Sequence, residues 1–153
     1  MSPRPTAPPL TAAAALAAGV LLAGCSSGTA EGADSPQTAV VTFFHALGAK
    51  DSTGACAVIS TQGKALEGVG LQQCQVGFDK VLASLADQRD IAALSGARVS
   101  GAQVTGDRAT VRQAQITSVP DGFQNDIDLV RLDGRWYIDS PSAADPPSAD
   151  PTG

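Results

Sequence analysis

LVRLDGRWYID, residues 129–139, holds the strongest structural signal in this chain. Two runs rich in β-branched and aromatic residues flank Asp133-Gly134, and Asp-Gly favours a two-residue hairpin turn in which both central residues need positive φ. Folding outward from the turn sets Arg131 opposite Trp136, Val130 opposite Tyr137 and Leu129 opposite Ile138. Ile127, Leu129, Trp136 and Ile138 then share one face, which is the predicted core face. The same register, carried one pair further, brings Asp128 to face Asp139.

Upstream, ARVSGAQV (97–104), RATVRQAQIT (108–117) and NDIDLVRL (125–132) also read as strands, with a tight turn at Thr105-Gly106-Asp107-Arg108. The apolar parity of the first two reverses along their length. Val104, Ala102, Val111 and Ala109 share a face near the turn, but Val99, Ala97, Ala114 and Ile116 share the other further out. A strict two-residue period cannot do this, so a bulge near Ser100-Gly101 is expected.

The residues before the strands read as helical. Ser35 caps a helix with Pro36 at its first position, Val40, Phe43, Phe44 and Leu47 form its stripe, and Gly48 closes it. His45, the one histidine, falls off the stripe beside Thr42 and Ala49 and reads as solvent-facing or locally satisfied. A short second helix is expected from Asp51-Ser52 to Ile59, then a loop over STQGKALEGVGLQQ (60–73) with its three glycines. A third helix follows, burying Leu71, Cys74, Phe78, Val81, Leu82 and Leu85. Helices first and strands afterwards imply an α+β class: N-terminal helices packed on a curved antiparallel sheet, one domain over 35–139.

The chain has 153 residues and a net charge of −5. Residues 1–24 contain Arg4 as their one charged side chain, and the remainder holds nine basic against fifteen acidic residues, a net of −6. Nucleic acid is excluded as a partner on this balance. Frequent Ala and Gly, with more Arg than Lys, accord with a GC-rich bacterial genome. Leu10 to Leu22 give thirteen uncharged residues, too few to span a bilayer core, which needs about 20. A positive lead, a short apolar stretch and small residues beyond it follow the pattern of a cleavable export signal.

Leu22-Ala23-Gly24-Cys25 resembles the bacterial lipobox. The resemblance implies that 1–24 is a lipoprotein signal peptide and that Cys25 receives a diacylglycerol before the chain is cut ahead of it. The protein would then be held on the outer face of the cell membrane. Residues 25–34 read as the acylated cysteine plus a flexible tether, whose nine linker residues reach roughly 15–18 Å. Residues 140–153, rich in Pro, Ala and Asp, read as a disordered tail.

The aromatic first helix AVVTFFHALGAKD, the order of elements and the ending LVRLDGRWYID resemble the NTF2-like superfamily, including small exported actinobacterial lipoproteins. The resemblance covers 35–139 and implies a cone with an apolar pocket at its mouth. Phe44, Leu47, Phe78, Val111 and Trp136 are the candidate wall of that pocket, for a small lipid-like ligand or a peptide segment.

With Cys25 assigned to lipid, Cys56 and Cys74 remain as an even pair in an oxidising compartment and are expected to form a disulfide. No catalytic, metal or cofactor site is assigned. The favoured function is a non-catalytic binding or interaction module, with a small apolar ligand or an envelope protein as partner. Two alternatives stay open: an isomerase or dehydratase using a pocket carboxylate, with Asp128 and Asp139 as candidates, and a structural envelope-assembly domain.

Overall fold

The hairpin at 129–139 forms in the expected register. In the computed structural model, which describes residues 29–84 and 88–140, β7 (Ile127–Leu132) and β8 (Arg135–Ser140) pair antiparallel. Leu129 faces Ile138, Val130 faces Tyr137 and Arg131 faces Trp136. Asp133 and Gly134 have φ of 49° and 80°, as a type I′ turn requires. Residues 1–28, 85–87 and 141–153 lie outside the description, and with them Cys25, the lipobox, Leu85 of the expected third-helix stripe and all of the predicted tail but Ser140. Ser140, placed in the tail by sequence, instead closes β8 and pairs with Thr61.

Before this hairpin the chain runs through α1 (Pro36–Gly48), α2 (Ser52–Cys56), β1 (Ile59–Thr61), β2 (Lys64–Ala65), α3 (Gly68–Ser84) and α4 (Gln88–Ala93). β3 (Arg98–Val99), β4 (Gln103–Thr105), β5 (Arg108–Val111) and β6 (Ile116–Thr117) follow. The main sheet has the order β2-β1-β8-β7-β5-β4, with β1 parallel to β8 and the other pairs antiparallel. β3 and β6 form a separate two-stranded sheet. The class is therefore mixed α+β, with a curved, mostly antiparallel sheet and several helices.

The parity reverses along the second strand, where Ala109 and Val111 and then Ile116 are buried, whereas Val104 on the first is exposed, and the ladder breaks on both strands: residues 100–102 separate β3 from β4. One 3-10 turn at Gln113–Gln115 interrupts the second strand and separates β5 from β6. Polar side chains satisfy the backbone there: Arg112 N donates to Gln115 Oε1 at 2.8 Å, and Gln113 N to Asp126 Oδ1 at 2.7 Å. Ser100 N still reaches Gln115 O at 2.9 Å, so the two halves stay in line.

α1 follows its sequence closely. Ser35 Oγ accepts from Thr38 N at 3.1 Å, Pro36 opens the helix, and Val40, Phe44 and Leu47 are buried. Its closure differs in mechanism, because the positive-φ residue is Lys50, at 58°, and not Gly48. Gly48 is needed for proximity: a Cβ there would sit 2.5 Å from the backbone nitrogen of Ser95.

The second helix is shorter than expected, ending at Cys56, and Ile59 starts a strand. Val58, Ile59 and Ser60 are β-compatible and take the lane beside β8, where Ile138 N donates to Val58 O at 2.8 Å. Part of the expected glycine-rich loop is thus a hairpin, turning at Gln62 and Gly63 with φ of 54° and 69°. Val81, expected inside, is half exposed, since α3 buries only the narrower face carrying Leu71 and Leu82 with Phe78 half-buried.

The core lies on the helix side of the sheet. Val40, Phe44 and Leu47 of α1 and Ile91 of α4 meet Val111, Leu129 and Trp136. A smaller cluster on the other face gathers Ala30, Val130 and Tyr137 with Ala65, Leu66 and Leu132.

Candidate functional site

Residues 29–34, read from sequence as flexible tether, are stitched into the fold. β1 borders only residues 138–140 of β8, which leaves the first half of that strand with an open edge. Ala33 fills it: Ala33 N donates to Trp136 O at 2.9 Å, and Trp136 N returns the bond at 2.8 Å. Further back, Gly32 N bonds Ala57 O at 2.9 Å, Ala30 N bonds Leu66 O at 2.8 Å, and Thr29 bridges Glu67. Backbone groups that an edge would expose are thereby paired.

Side chains complete this strap. Arg135 donates from Nε to Glu31 O at 3.1 Å and from Nη2 to Gly32 O at 3.0 Å, and pairs with Asp34 through Nη1. The Tyr137 hydroxyl donates to Ala30 O at 3.2 Å. Ala30 and Ala33 are buried, which only small side chains permit at this distance from the sheet. Gly32 has φ of 63°, and a Cβ on it would lie 2.6 Å from the Tyr137 ring. Gly32→Ala therefore combines left-handed strain with a clash and should cost about 1–3 kcal/mol. Hydrogen exchange at the Ala33 and Trp136 amides is the readout; unchanged protection would refute the strap's tight seating.

Burial under the strap pushes the Tyr137 phenol above its ordinary value of about 10, with Arg135 opposing and Asp133, Glu31 and Glu67 reinforcing. Because the folded state holds the proton more tightly, this stabilisation is intact below the unfolded pKa and is lost as pH rises through the folded one. Tyr137 is the one tyrosine of the chain, so phenolate absorbance reports it alone. The titration midpoint should lie above about 10 and fall to that value on unfolding in urea; equal midpoints would contradict the burial.

Beside the strap a depression of about 450 Å³ is lined by Gly63, Lys64, Ala65, Glu67, Arg131, Leu132, Asp133 and Tyr137. It sits between the turns of the β1–β2 and β7–β8 hairpins and presents both signs of charge.

The candidate pocket residues lie elsewhere. Phe44, Leu47, Val111 and Trp136 are buried in the main cluster and Phe78 packs half-buried against it, edge-on to Phe43 at 5.8 Å. These five side chains meet through packing, and the three depressions described on the surface have other linings.

The two carboxylates face separate partners. Asp128 is exposed and accepts from Thr110 Oγ1 at 2.7 Å, while Asp139 pairs with Arg108 at 2.9 Å. His45, exposed on α1, donates from Nε2 to Ala97 O at 3.2 Å in a part-buried bond that ties the helix to the chain before β3. Cys56 and Cys74 lie at disulfide distance, 2.08 Å between sulfurs, and join α2 to α3. Among the described residues no group of three or more His, Cys, Asp or Glu side chains gathers as a metal set. None of the described helices is long and apolar enough to cross a membrane.

Hydropathy missed the strap because it is held by backbone bonds and small side chains. A usable signal is the small residues Ala30, Gly32 and Ala33 interspersed with the acidic Glu31 and Asp34, in a chain whose hairpin bears Arg135. Comparison with protein families, curated proteins and solved structures finds no match to this chain.

Proposed function

We propose that this chain is an exported lipoprotein: a non-catalytic interaction module that Cys25 holds on the outer face of the cell membrane. The observation that carries the reading is the strap. The first described residue, Thr29, is already paired to Glu67, and it stands four positions after the lipobox cysteine. Four residues extend at most about 14 Å, so a lipid on Cys25 would hold the domain against the bilayer surface. The domain itself reads as an NTF2-like cone, supported by a curved six-stranded sheet with helices packed on one face.

Interaction through the surface is favoured over an internal ligand because Phe44, Leu47, Phe78, Val111 and Trp136 are occupied by one another. Catalysis by a carboxylate pair is disfavoured because Asp128 and Asp139 are bonded to Thr110 and Arg108 rather than enclosed together. The test is cell fractionation of the full chain and its Cys25→Ser variant. The native chain is expected in the membrane fraction, with the C25S chain lost from the mature, membrane-bound pool. Equal membrane association of a processed C25S chain would refute the anchor.

A further inference from the structure

α3 carries a second apolar face that the core does not use. Leu71, Phe78 and Leu82 point inward, whereas Val69 and Val76, one heptad apart, point outward with 68% and 52% exposure. With Gln72, Gln73, Gly77 and Lys80 they line a shallow depression of about 430 Å³. Lys80 is the one charged side chain of that lining and no carboxylate joins it, although the mature chain is net acidic.

We propose that this outer face of α3 is a bilayer-docking surface, laid on anionic lipid by the acyl group of Cys25. The proposal rests on the anchor reading above. Two observations select a lipid surface as the occupant. The first is where the chain outside the description ends: Cys25 lies within about 14 Å of Thr29, Thr29 bridges Glu67, and Val69 follows two residues later at the start of α3. The anchor point and the first exposed valine are thus at the same end of the domain. From there the face extends away for about 16 Å of helix, Val69 to Lys80.

The second observation is charge. The other depression near the anchor carries Glu67 and Asp133 beside Lys64 and Arg131, and its carboxylates would meet an anionic headgroup layer unfavourably. The α3 face offers valines for the acyl boundary and Lys80 for phosphate.

The test uses mature lipidated protein reconstituted in vesicles of phosphatidylglycerol with brominated phosphatidylcholine. A tryptophan reporter is placed by Val76→Trp, and by Val104→Trp as a control, because Val104 is equally exposed on β4. The unsubstituted protein supplies the Trp136 background. The V76W emission is expected to shift to the blue and be quenched by bromine, since interfacial helices sink their apolar face about 5–10 Å into the boundary. The V104W emission should do neither. Vesicle-bound protein with equal, unquenched reporters overturns the docking face and leaves the anchor standing. A blue shift without bromine quenching assigns the face to a second copy of the chain and also overturns the proposal. Protein that does not float with vesicles overturns the anchor reading and the docking face with it.

Discussion

Truncating Trp136 to alanine is expected to cost about 3–5 kcal/mol of unfolding free energy. Domains of this size hold roughly 5–15 kcal/mol in all, so the loss takes a large share of the total and the urea midpoint should fall sharply. The reason lies in how much converges on this side chain. Its ring is buried among α1 and sheet residues, and the Arg131 guanidinium lies 5.5 Å from the ring centroid. Its backbone holds Ala33 of the strap through two hydrogen bonds. Losing the ring therefore opens a cavity at the junction of core and strap together. A urea titration followed by far-ultraviolet circular dichroism measures it. A pocket-wall role would leave the variant folded, and a loss below about 1 kcal/mol would show that Trp136 borders free space.

Removing the cross-link between Cys56 and Cys74 is the second large perturbation. Closing an 18-residue separation restricts the unfolded chain by about 3 kcal/mol in the loop-entropy description. α3 leans on it because, over seventeen residues, the helix buries only Leu71 and Leu82. The double variant Cys56→Ala/Cys74→Ala should shift the urea midpoint downward, and reductant should move the parent to a similar value. Hydrogen exchange should rise first in α3. A midpoint insensitive to both changes would show that the two thiols do not constrain the fold.

The parts of this fold legible in the sequence are those written in local chemistry. Asp133-Gly134 dictates its turn through backbone sterics, and Leu129, Trp136 and Ile138 alternate strictly, so register and core face follow together. α1 is equally explicit, with a side-chain cap, a proline at its first position and a stripe of large apolar residues. The turn at Gln62-Gly63 was not legible, because glutamine carries no preference for positive φ comparable with Asp or Asn. The strap was not legible either, since alanines and a glycine resemble linker composition until Tyr137 and Arg135 close over them.

The candidate site divides in the same way. The pairing of Cys56 with Cys74 is expected once the lipobox resemblance sets Cys25 aside, and the structure brings the two together. The proposed pocket wall does not follow from listing large apolar residues, because a stripe facing a cone and a stripe filling a core have the same period. Only the third dimension separates them, and here α1 lies directly against the sheet through Phe44, Leu47, Val111 and Trp136.

The intact mass of the mature N-terminus tests the central claim most directly. Protein extracted from the membrane of its expressing cell is digested, and the N-terminal peptide is read by mass spectrometry. The expected peptide begins at Cys25, immediately after Gly24, and carries a diacylglycerol thioether on Sγ. A mature peptide that begins elsewhere with Cys25 unmodified, or a chain that keeps residues 1–24 in the cell, would contradict it.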